Sequence, residues 1–329
     1  MFSGEALPPR THRQGDDSPA PTTRRCAIER ILLPQRNLLG IVSLSYFSAK
    51  AFAMFTDIHA HVFHPAVAAK AVARLAALGF DPPGTGIIDD LLARAERGGF
   101  GRVVCHTAAL TGDQVVPANS FAISLARRPK ERDSEPEIVS FGSVHPDFAR
   151  WPQELDRLEA AGVRGLKLHP NFQNLAYDDP RLFPVMEAVG ERFLLMCHVG
   201  CEKPLETNPA SPYKLARLIG MFPKARIIAA HLGGYADGVV ALDALAGKDI
   251  WIDTSNTART GEAASRKVIA KHPFDRLLFG SDYPLFDPAE DIPRQQQRFG
   301  FSDRQMEELM RNADKLLGVG PFCHDAASG

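Results

Sequence analysis

Residues 55–65 read FTDIHAHVFHP, which puts three histidines, His59, His61 and His64, into six positions of an otherwise strand-like run. Side chains two apart on a strand share a face, so His59 and His61 point the same way. An H-x-H pair alone specifies little, but four later stretches carry the same kind of residue at the same place. VRGLKLHP (163–170) offers Lys167 and His169 on one face, RFLLMCHVG (192–200) offers His198, RIIAAHLGG (226–234) offers His231, and RLLFGSDYP (276–284) offers Asp282. Neutral imidazole and carboxylate suit Zn²⁺ or another first-row divalent ion, and a catalytic site leaves one position open for water. Such an ion acidifies water and polarises a substrate oxygen, while a nearby base that is not a ligand moves the proton.

Each of these residues needs an element to hold it. From residue 55 onward, apolar runs at 55–62, 101–108, 137–144, 163–170, 192–200, 226–234, 250–256 and 276–284 are rich in Val, Ile, Leu and Phe on both faces, as buried parallel strands are. Amphipathic stretches lie between them, among them 65–78, 152–162, 215–222 and 303–318, with Gly, Pro or Asn at their ends. Eight strand-then-helix units predict an α/β fold, the single-domain (β/α)₈ TIM barrel, whose active site is built at the C-terminal ends of the strands. The polar residues fall at those ends. An open doubly wound sheet would carry a Gly-rich phosphate turn after its first strand; here that position reads HAHVFHP.

Composition narrows the function. With 38 Lys and Arg against 39 Asp and Glu, the chain has no global field to attract nucleic acid or an anionic membrane, so the expected partner is a small-molecule substrate. Five cysteines, odd in number and without C-x-x-C spacing, argue against a disulfide framework and a zinc ribbon and for a reducing, cytoplasmic setting. Residues 38–53, LLGIVSLSYFSAKAFA, have the outline of a signal peptide, but Ser43, Ser45, Tyr46, Ser48 and Lys50 weaken its apolar centre. Residues 1–20 have disorder composition and Met54 directly precedes the first strand. The expected layout is therefore a disordered or mis-called extension at 1–53, a barrel domain at 54–322 and a tail at 323–329.

The series DIHAH, GLKLHP, CHVG, AHLGG and GSDYP, with FGSVHPD between the first two and RNADKLLG after the last, resembles the amidohydrolase superfamily across roughly residues 55–320. It is most similar to the amidohydrolase-related branch, which holds metal-dependent hydrolases and decarboxylases. The resemblance implies that His59, His61, His198 and Asp282 ligate one divalent metal ion, Zn²⁺ in the first instance, with Mn²⁺ or another divalent ion as alternatives. It implies that His231 handles the proton of the attacking water together with Asp282. Lys167 either bridges a second metal as a carboxylated lysine or, with His169 and Arg164, binds a substrate anion. The expected activity is hydrolysis of a carboxylate-bearing lactone, amide or ester. Decarboxylation on the same barrel is the alternative, an inactive binding barrel is the third reading, and the resemblance implies a homodimer.

Other polar residues have plainer expected roles. His64 reads as a loop or capping residue, His106 and His145 as residues that back the site or touch substrate, and His272 as a connection residue. Cys197 alternates away from His198 and reads as a buried thiol; Asp57, two residues before His59, shares its face by the same alternation.

Overall fold

Eight parallel strands and their connecting helices make up residues 55–317, the part of the chain that the structure, a computed structural model, describes. The strands are β1 (Phe55–His61), β2 (Phe100–His106), β3 (Glu137–Ser143), β4 (Gly165–Leu168), β5 (Leu194–Cys197), β6 (Arg226–Ala229), β7 (Trp251–Asp253) and β8 (Leu277–Leu278). They lie side by side in sequence order. The segment after β8 returns to β1, where Ile58 N donates to Phe279 O at 3.0 Å and Asp282 N to His59 O at 2.8 Å. The result is the TIM barrel that the alternating pattern predicts. The strands are shorter than the apolar runs because their last residues leave the ladder to form the loops of the site.

Both strand faces are apolar for separate reasons. Val103, Cys105, Leu166, Leu168, Leu195 and Ile227 face the helices, whereas Ile58, Val104, Phe141, Met196, Ile228 and Leu278 form a second cluster inside the barrel. The last described helix, Asp303–Leu317, inserts Ala313, Leu316 and Leu317 into that inner cluster. Beside it the buried Arg102 guanidinium sits 3.0 Å from Glu137 and 2.6 Å from Asp314, and Thr56 Oγ1 donates to Asp314 at 3.0 Å. These groups close the end of the barrel where the strands begin.

One irregularity aims the first strand. Between Asp57 and Ala60, β1 advances three residues while β2 advances two, from Val103 to Cys105. This bulge, a device that re-aims side chains near active sites, lets Ile58 and His59 both face inward. Strict alternation therefore fails for Asp57, which does not share the face of His59. Its carboxylate instead accepts from Ser281 N at 3.0 Å and from Ser281 Oγ at 2.5 Å, and burial pushes its pKa up to about 7.

Helices at Ile88–Arg97, Val115–Ala126, Glu262–Lys271 and Pro288–Phe299 join those expected from periodicity. No described helix is long and apolar enough to cross a membrane. The expected domain limits at 53/54 and 322/323, and the signal-like stretch 38–53, lie outside the described residues.

Candidate active site

At the C-terminal end of the barrel, three donor atoms form a nearly equilateral triangle. His59 Nε2 and His61 Nε2 are 3.2 Å apart, and each is 3.3 Å from Asp282 Oδ1. An ion held tetrahedrally at 2.0–2.1 Å from its ligands separates them by about 3.3 Å, so the triangle is the right size for one face of a zinc-like coordination shell. Asp282 is left free to offer Oδ1 because its other oxygen accepts from Asn256 Nδ2 at 2.8 Å. Burial works against the Asp282 carboxylate, but His59, His61 and His231 hold its pKa well below the usual range.

The orientation of His59 is set from behind. Its Nδ1 lies 2.7 Å from Asp253 Oδ2, at the end of β7. Asp253 is held ionised by His59 and His231 despite its burial, so it accepts and Nδ1 donates, which leaves the lone pair on Nε2 inside the triangle. Burial and the Lys167 ammonium push the His59 pKa down to about 3. Asp253 also accepts from the backbone N of His231 at 3.0 Å and from Ser255 Oγ at 2.6 Å.

A second pair lies beside the triangle, the His231 ring centroid 5.1 Å from that of His59. His231 Nδ1 donates to the Ser255 carbonyl at 3.2 Å, and His198 Nε2 donates to the Gly200 carbonyl at 3.1 Å. Carbonyls only accept, so each ring donates there, and the remaining nitrogens, His231 Nε2 and His198 Nδ1, face one another at 3.0 Å. That is the length of an N–H···N hydrogen bond, made when one proton lies between the two rings. His198 is thus placed beside His231 and not at a corner of the triangle. Its ring stacks on His169, with centroids 3.9 Å apart.

The remaining expected residues divide. Lys167 is fully buried, its Nζ 3.2 Å from His59 Nε2, and burial lowers its pKa to about 8. His169 lines the cavity above it. Arg164 does not join them. It precedes Gly165, the first residue of β4, and lines a separate hollow with Glu137, Ser140 and Leu317 at the opposite end of the barrel. A residue at the start of a strand is a full strand length from the mouth, so the expectation that Arg164 binds substrate is corrected.

His64 caps the following helix by accepting from Ala66 N at 3.2 Å. His145 and His272 bond backbone groups, at Gln173 O and Asp147 N for the former and at Ile250 O and Gly247 N for the latter. Cys197 packs in the outer core as alternation predicts. His106 is different. It is buried edge-on against His59 and His61, with ring centroids 4.7 and 4.6 Å away, and among the described residues neither of its nitrogens has a hydrogen-bond partner. Asp253, Ser255 and Asn256 were not singled out from the sequence; the signal was the polar run DTSN at the end of an apolar strand.

Above the triangle opens a cavity of about 460 Å³ that reaches His61, His169, His198, His231 and Asp282. This lies within the usual range for small-molecule sites. The amidohydrolase family profile matches residues 56–319. The chain belongs to the amidohydrolase family. No curated protein matches it in sequence. Among solved structures, this amidohydrolase-family chain is similar to an uncharacterised TIM-barrel protein from Bordetella bronchiseptica, at 17% identity over 80% of this chain and 98% of the other, with a TM-score of 0.62. A probable 2-pyrone-4,6-dicarboxylic acid hydrolase from Acinetobacter baumannii shares 19% identity over 80% and 99% of the two chains, with a TM-score of 0.58. The 5-carboxyvanillate decarboxylase of Novosphingobium aromaticivorans, solved with manganese, shares 14% identity over 81% and 96%, with a TM-score of 0.59. At these identities the likeness is one of fold, and the neighbours include both a hydrolase and a decarboxylase.

Proposed function

We propose that this amidohydrolase-family chain is a metal-dependent hydrolase of a small lactone, ester or amide. The observation that carries the reading is the donor triangle of His59, His61 and Asp282 at the floor of an open cavity. A divalent ion held there supplies Lewis acidity and lowers the pKa of water. The chain's own residues do the rest. Asp253 fixes the His59 ring, Asn256 fixes Asp282, and His231, which lines the cavity and meets His198 through Nε2, takes or returns a proton through that pair.

Hydrolysis is favoured over decarboxylation by the charges on the cavity wall. A decarboxylase substrate brings a carboxylate, yet on the cavity wall Arg259 is ion-paired with Glu202, which among the described residues leaves the exposed Lys203 as the one Arg or Lys there to meet it. A neutral carbonyl compound enters such a cavity at a smaller desolvation cost. The test is a panel of lactones, esters, amides and aromatic acids offered to metal-reconstituted protein, with chelator controls. Chelator-sensitive hydrolysis supports the reading, and release of CO₂ without hydrolysis overturns it.

The facing nitrogens of His198 and His231 favour a second reading of the metal content, in which they hold a second ion in place of that proton.

A further inference from the structure

The walls of the cavity are unlike. On one side Phe63, Leu75, Leu78, Phe80, Leu110 and Phe172 converge, contributed by the loop after β1, the helix Pro65–Ala77 with the turn that follows it, the loop after β2 and the short helix Pro170–Gln173 after β4. None of the six is buried; Leu78 is 53% and Phe172 40% exposed. The helix Pro65–Ala77 buries only Ala68. Its larger apolar residues are therefore not consumed by the barrel, and Leu75 borders the cavity instead. On the other side stand the Glu202–Arg259 pair and Lys203.

A contiguous, half-exposed apolar wall beside a polar floor marks a binding surface for an apolar group. We propose that the substrate carries, beyond its reacting carbonyl, an uncharged alkyl or aryl arm that lies against Leu75, Leu78 and Phe80. The polar floor takes the reacting end and the apolar wall takes the arm. The wall also selects against a second carboxylate, since an anion placed there would lose its hydration against six apolar side chains. This specificity differs from that named for the dicarboxylic acid hydrolase of A. baumannii. The inference rests on the hydrolase reading for its choice of probe.

The probes are δ-lactones with unbranched side chains from methyl to heptyl, and 2-pyrone-4,6-dicarboxylate. Affinity is measured by calorimetry, so that binding is read without turnover. Each added methylene should tighten binding roughly two- to fourfold until the wall is covered. Leu78→Lys, at an exposed position, should flatten that dependence, and Leu75→Ala should weaken it; thermal unfolding checks that both variants fold. Affinity independent of chain length, tighter binding of the dicarboxylate, or an unchanged dependence in both variants overturns the proposal. Chain-length-dependent binding without turnover of any lactone, ester or amide of the panel sinks the hydrolase reading and leaves the apolar arm standing. Turnover indifferent to chain length does the reverse.

Discussion

Asp253 Oδ2 stands 2.7 Å from His59 Nδ1, and neither side chain touches solvent. The pair determines which nitrogen of His59 faces His61 and Asp282. Asp253→Ala should therefore weaken metal binding by roughly 10- to 100-fold, the usual effect of removing a carboxylate behind a ligating histidine. Titration with Zn²⁺ or Mn²⁺ reads this directly. Affinity equal to the wild type would refute the positioning role.

His59 and His61 occupy two corners of one triangle but differ in what stands behind them. His61→Ala should reduce metal affinity by more than the roughly 100-fold expected for a residue behind a ligand, with little change in melting temperature. His59→Ala should do the same and also destabilise the fold by about 2 kcal/mol, because it strips one donor from a buried carboxylate. Parallel calorimetry and metal analysis separate the two effects. Equal melting temperatures would show that the His59–Asp253 bond contributes nothing to the fold.

The sorting of donors into a triangle and a pair predicts two classes of metal binding. The tighter class should vanish in His61→Ala, and the weaker one in His198→Ala. Metal titrations followed by elemental analysis count them. A single class that survives His198→Ala would assign the space between His198 and His231 to a proton.

His272 lies away from the site, and burial lowers its pKa to about 4. The unfolded chain binds this proton near pH 6.5, so between pH 6.5 and 4 the unfolded state holds more protons than the native one. The contribution of His272 is complete above pH 6.5 and declines as the pH falls to about 4, below which it changes no further. His272→Gln should flatten the stability profile in that window. Urea denaturation at several pH values checks it, and parallel profiles for the two proteins would disprove the assignment.

The barrel was legible because parallel strands buried on both faces leave continuous apolar runs, and the placement of His59, His61, Lys167, His169, His198, His231 and Asp282 at one end followed from where those runs stop. Three features were not legible. Asp57 was misplaced because a bulge breaks the alternation on which its assignment rested. Arg164 was misplaced because it precedes β4, whereas Lys167 lies near the far end of that strand and His169 directly follows it. Asp253 and Ser255 were overlooked because their work is done behind His59 and His231, through contacts between residues nearly 200 positions apart for the first pair. Linear spacing does not report such pairs.

The plug formed by Arg102, Glu137, Asp314 and the inserted Ala313, Leu316 and Leu317 has a kinetic consequence. With that end sealed, the cavity as the described residues form it is a blind well, and arrival and departure share the mouth above the triangle. Products must leave past the same apolar wall that greets the next substrate, so a longer arm that improves capture also slows clearance, and turnover should peak at an intermediate arm length.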